Sequence, residues 1–332
     1  MSLSWRGQHS FSPAFSPSFP PTVSTGGGLA VASSDFRTSP AIPAWLTFSR
    51  AGSAWATNAS GALTQAGTNA ARFDYDPATL AAKGLLLETT SRTNMLKASG
   101  DLSDANWQKL SAGVAAPIVT GNFTTAPDAT TTAAKVVFPA VSGAGNRSLV
   151  SQLSPTLTAA SHKWEIWLKG SVGGEQLYLF GTPNESTYFR QLLTLTTAWV
   201  RYSTAAVLTA APWYFAIGRD YLDGSQGAIA AQTIYAWGGQ AELGAFPMSY
   251  ISTTTSTATR AVDSLSAGAT YSSNPAIIQV RDIATGTRSR KKLATLSAIS
   301  SEVDEWIEAV KVYPVGTSSA WLDAHLVVDG AW

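Results

Sequence analysis

Seven residues, Lys163-Trp164-Glu165-Ile166-Trp167-Leu168-Lys169, alternate with a period of two. Trp164, Ile166 and Leu168 share one side, while Lys163, Glu165, Trp167 and Lys169 share the other, which is the pattern of a strand with one face on a core. Runs of the same kind recur at 176–180, 191–195, 199–202, 213–217 and 233–237, separated by Gly, Pro and Asn. Short strands at this spacing predict a sandwich rather than a helical domain. The aromatic content, with 12 Trp, 10 Tyr and 12 Phe among 332 residues, also favours strands. The expected fold is mainly β: an antiparallel jelly-roll β-sandwich over 98–263, flanked by an extended N-terminal arm and a small C-terminal α/β piece.

The flanks differ in character. Residues 1–30 repeat Phe11-Ser12-Pro13, Phe15-Ser16-Pro17 and Phe19-Pro20-Pro21 before Gly26-Gly27-Gly28. Proline fixes φ and removes N–H donors, so this arm is expected to be extended and polyproline-like. Phe11, Phe15 and Phe19, spaced by Pro13 and Pro17, suit docking into pockets of another chain, because a preformed segment loses little entropy there. A solvated tail is the alternative.

Residues 31–97 form a second unit of short strands, dense in charge for a chain with only 13% charged residues. Arg50, Arg72, Asp74, Asp76, Glu88 and Arg92 are expected to pair within this unit, since an isolated buried ion is costly; a ligand site made of them is the other possibility. In 264–332, residues 277–281 read as a strand and Arg288, Arg290, Lys291 and Lys292 as a basic cluster. Ser301-Glu302-Val303-Asp304 has a capping-box pattern. It predicts a helix with Val303, Trp306, Ile307 and Val310 on one face, ended by Pro314.

Composition excludes several functions. A net charge of +1 gives no basic face for nucleic acid. No apolar run approaches the roughly 20 residues that span a bilayer, so no membrane partner is expected. The N-terminus lacks a basic segment followed by an apolar core, so no secretory signal is expected. With no cysteine there are no disulfides or thiolate sites.

Catalytic patterns are sparse. The three histidines, His9, His162 and His325, lie in separate predicted units, and no G-x-S-x-G turn accompanies them. Neither a triad nor a metal centre is expected, and no cofactor. Asp74 with Asp76, read as one strand face, is the carboxylate pair a glycosidase would need; Asp101 with Asp104, and Asp220 with Asp223, sit in turn-like contexts. The loop 220–224 could hold calcium but reads more simply as a turn. Exposed aromatic faces stack on sugars, which makes Trp167, Trp213 and Tyr214 the candidate glycan contacts; packing in a core or between subunits competes for each. For the Arg288–Lys292 cluster a solvated loop competes with contact to an acidic polysaccharide.

Several blocks also carry a resemblance. FSRAGSAWATNASGAL, ARFDYDP and KGLLLETTSRTN within 46–96, then AWGGQAELGAFPMSYI at 236–251 and TRAVD at 259–263, resemble a module of bacteriophage head-spike and tail-fibre proteins. DLSDANWQKLSAG, from 101, resembles the start of a carbohydrate-binding jelly roll. The resemblance implies a non-enzymatic structural protein of a virion, assembled in the host cytoplasm, with other virion proteins and further copies of itself as partners. A host-glycan adhesin is the second function it allows, and a glycan depolymerase the third.

Overall fold

A computed structural model describes residues 29–326, apart from 144, 185–186, 220–229, 284 and 303–304. The arm residues Phe11, Pro13, Phe15, Pro17 and Phe19, together with His9, lie outside the described residues, as do Asp220 and Asp223.

Two five-stranded antiparallel sheets face each other. The first runs Val200–Leu208, Ala160–Gly170, Gln232–Leu243, Ala133–Phe138, Ile118–Thr124; the second runs Phe189–Thr194, Gln176–Thr182, Pro212–Arg219, Arg147–Thr156, Gln108–Ala112. Trp164, Ile166 and Leu168 point between them, as their alternation requires, and meet Trp107, Leu179, Phe215 and Ile217. Trp164 packs 5.7 Å from Phe215 and 6.3 Å from Trp107, centroid to centroid. This is the mainly β, jelly-roll-type sandwich that the periodicity predicts.

A third sheet takes strands from both ends of the chain. Its order is Arg288–Leu293, Ala276–Arg281, Trp306–Val312, Ala82–Leu86, Arg72–Tyr75, with Ala32–Asp35 also paired to Trp306–Val312. Segments 31–97 and 264–332, separate in the sequence reading, therefore share one sheet and one core of Phe36, Leu85, Leu87, Ile278, Ile307 and Val310.

The helix expected through Val310 is corrected. Among the described residues the α-helical turn is Ile299–Glu302, and Trp306–Val312 is a strand. Gln279 pairs with Ala309 and Val280 with Ile307, so Glu308 is an extra residue bulged out of the ladder. The bulge shifts strand parity by one, which turns Ile307 and Val310 to the same core. Their spacing of three residues imitates a helical face. Pro314 follows the strand, and a later helix, Ser319–Ala324, starts on Ser318, whose side chain accepts from the Trp321 N–H.

Candidate functional site

The side of the Ala160–Gly170 strand that faces away from the sandwich core is not a solvent face. Glu165 is fully buried and Trp167 is 8% exposed, because the chain after Leu243 returns across them and the N-terminal strands lie alongside. Between these layers is a cleft of about 730 Å³, lined by Trp55, Trp167, Trp199, Tyr250 and Trp306, with Arg201, Glu165, Lys83 and Asp74 among the polar groups.

Each aromatic is held by a different element. Trp167 lies edge-on to Trp237 and Tyr250, with centroids at 5.5 and 5.3 Å. Its strand neighbour carries a bulge at Gly238-Gly239, between the pairs Glu165–Gln240 and Trp167–Trp237. Gly238 has φ +71°, and a Cβ there would stand 2.7 Å from the Trp167 ring; glycine is what lets that ring lie against the backbone. Tyr250 packs 5.6 Å from Trp55 and hydrogen-bonds Ser99 through its hydroxyl. Trp199 donates Nε1–H to the Thr125 carbonyl at 3.0 Å. Trp306 donates to Asp74 Oδ2 at 2.9 Å, and Lys83 lies over its ring at 4.7 Å. The cleft is thus an apolar trough with a few fixed polar groups, the usual make-up of a small-molecule site.

Its charges are largely neutralised in place. Arg201 lies 4.5 Å over Trp167, donates to Glu165 Oε2 at 2.7 Å and donates to the Met248 carbonyl at 2.7 Å. Burial raises the Asp74 pKa, against the pull of Lys83 and of the Thr57 N–H. Beneath the cleft, burial opposes ionisation of Glu88, but the Arg72 and Arg260 guanidiniums outweigh it and hold the carboxyl at about 2.

Of the sequence candidates, Trp167 lies in the cleft. Trp213 is corrected from a surface contact to a core residue: it is 3% exposed, and its ring packs 5.9 Å from Phe189. Tyr214 is half-buried on the other side of that strand, in the second sheet, away from the cleft lining. Asp74 and Asp76 do not share a strand face, because the strand ends at Tyr75 and Asp76 caps a turn through the Ala78 and Thr79 N–H groups. Asp101 and Asp104 cap turns in the same way, at Ser103 and Asn106. The basic cluster is bound into ion pairs, Arg288 with Glu308, Lys291 with Glu305 and Lys292 with Asp323. Trp55, Trp199 and Trp306 were not singled out from sequence; each sits in a short segment whose partners are distant in the chain.

No protein-family model and no curated protein matches the chain. Among solved structures, the chain is similar to a CBM4 module at 11% identity and TM-score 0.27, over 34% of this chain and 72% of that one. A family 29 carbohydrate-binding module complexed with cellulohexaose overlaps at 10% identity and TM-score 0.28, over 46% and 90%. The glycoside hydrolase domain of Endo-D from Streptococcus pneumoniae R6 overlaps at 13% identity and TM-score 0.27, over 57% and 31%.

Proposed function

We propose that this chain is a non-enzymatic component of a phage or phage-like particle that binds a saccharide in the aromatic cleft. The observation that carries the saccharide half is the convergence of Trp55, Trp167, Trp199 and Trp306 on one open trough. Flat apolar faces beside a few fixed polar groups match a sugar ring, whose C–H face is apolar and whose rim bears hydroxyls. Because Arg201 and Lys83 are each matched by a carboxylate, the site favours a neutral sugar over an anionic one. The virion half rests on the resemblance described above, and its blocks form a physical unit: Arg50, Arg72 and Glu88 from the first blocks bond Ser249, Arg260 and Asp263 from the last.

Glycan-array screening of the full chain, followed by titration of the best ligand, tests the saccharide half. Trp199→Ala should weaken binding about 30-fold, equivalent to about 2 kcal/mol for an anchoring aromatic. A blank array, or equal affinity in the variant, would refute it. For the virion half, deleting residues 1–28 should abolish incorporation into particles and leave saccharide affinity unchanged; normal incorporation would discard docking by the arm.

A further inference from the structure

The face of the first sheet that carries Trp167 also holds two buried carboxylates that no ligand role explains. Lys163 pairs with Glu242 and Glu165 with Gln240 across the two central strands, so Glu165 and Glu242 are diagonal neighbours on that face. Both residues are fully buried. Glu165 Oε2 accepts from Arg201 at 2.7 Å and Glu242 Oε1 accepts from the Met248 N–H at 3.1 Å. Their other oxygens, Glu165 Oε1 and Glu242 Oε2, are buried with no hydrogen-bond partner among the described residues.

A buried acceptor without a donor is costly, and two on adjacent carboxylates repel. One proton relieves both at once, making one group an acid that donates to its neighbour. We propose that Glu165 and Glu242 share a single proton, and that its loss to solvent releases the Met248–Tyr250 wall of the cleft. This rests on the cleft being the saccharide site.

The surroundings supply one cation for the pair. Lys163 lies on the same strand as Glu165 and Arg201 on the outer strand Val200–Leu208, and Arg201 alone bonds Glu165. Glu88 reaches Glu242 from the segment beneath but is engaged by Arg72 and Arg260. Arg92 bonds the Leu243 carbonyl, and Gln240 is neutral. With the proton present the pair carries one negative charge, balanced by Arg201. Without it, two charges face that one guanidinium where water is excluded. Glu242 holds the Met248 N–H and Arg201 the Met248 carbonyl, so any adjustment of the pair is transmitted to the wall. Burial, with the Glu165 charge adding to it, pushes Glu242 up to about 7. A folded value above the ordinary one gives stability that is complete below about 4.5 and lost as pH rises to about 7.

Carboxyl NMR of the full chain, with 13C-labelled glutamate, tests the pair. Two glutamate signals should titrate together with one midpoint near neutrality, and the Met248 amide should shift with the same midpoint. Glu242→Gln, which mimics the neutral acid, should abolish both titrations and flatten the decline in stability between pH 4.5 and 7. Affinity for cellohexaose should fall about tenfold from pH 6 to pH 8 in the wild type, within the limit of tenfold per pH unit for one linked proton, and stay constant in the variant. Absence of a glutamate titration between pH 5.5 and 8.5, or a Met248 amide that ignores it, would overturn the switch. Should cellohexaose bind at no pH while carboxyls and amide titrate together, the switch stands and the saccharide site fails.

Discussion

Asp263→Asn should lower stability by about 3–5 kcal/mol, the scale for removing one member of a buried ion network, and Tm by about 10 °C. Asp263 accepts from Arg50 Nη1 at 3.2 Å, from Arg72 Nη2, and from the Glu88 N–H at 2.8 Å. Glu88 in turn is ion-paired with Arg72 at 2.7 Å and with Arg260 at 3.2 Å. All five side chains are at most 1% exposed. Three guanidiniums are therefore balanced by two carboxylates, and the variant leaves them with one. Asparagine can still accept through its oxygen, but its NH₂ would meet an arginine donor. Denaturant titration measures the loss. Asp76→Asn keeps the oxygen that caps the Ala78 and Thr79 N–H groups and should cost only a few tenths of a kcal/mol. A similar cost for both would dismiss the network as a stabilising element.

The same network sets the response to acid. The folded Glu88 carboxyl ionises far below its ordinary value, so the stability it contributes is present above about 4.5 and disappears as pH falls to about 2. Thermal melts over that interval should show Tm falling with pH, and a flat profile would contradict the ion pairing.

Pairing of these charges was legible, but their partners were not. The charge density of 46–96 calls for internal staples, and the structure does pair Arg72 with Glu88 inside that stretch, while Arg50 and Arg72 both reach out of it to Asp263. Asp263, however, stands 213 residues from Arg50 and 191 from Arg72, and no local pattern encodes a contact across that interval. Alternation in the Lys163–Lys169 run correctly separates Trp164 from Trp167. It cannot say that a returning segment covers the second face, since period reports direction and not what lies there. That is why Trp167 was identified as a candidate while its cleft companions Trp55, Trp199 and Trp306 were not. Trp213 fails for the complementary reason: an aromatic beside proline looks the same from sequence whether it lines a surface or fills a core. The helix expected through Val310 traces to Glu308, because one bulged residue converts a period of two into a spacing of three, and the basic run expected as a solvated loop is the edge strand Arg288–Leu293.

Gly84→Ala should cost about 3–4 kcal/mol, well beyond an ordinary loop glycine. Gly84 sits inside the Ala82–Leu86 strand at φ +107°, and a Cβ there would lie 2.4 Å from the Ile307 carbonyl oxygen and 3.0 Å from Glu308 Cα. Both obstacles are backbone, and they belong to the Glu308 bulge, so no side-chain rotation relieves them. Accommodation must part the strand from Trp306–Val312, breaking the pairs Leu85–Ile307 and Leu86–Trp306. These pairs join the N-terminal strands to the C-terminal ones around a shared core. Beside them, Trp306 donates to Asp74 at the cleft margin, so the variant should also weaken saccharide binding. Gly286 is the control: it has φ +70° but nothing within 4 Å of its Cβ position, so Gly286→Ala meets only the left-handed penalty of about 1 kcal/mol. If the two ends of the chain form one cooperative unit, Gly84→Ala shifts a single transition that includes both. A split melt, in which residues 276–312 unfold at their original temperature while 72–86 unfold early, would show instead that the third sheet is two independent halves in contact.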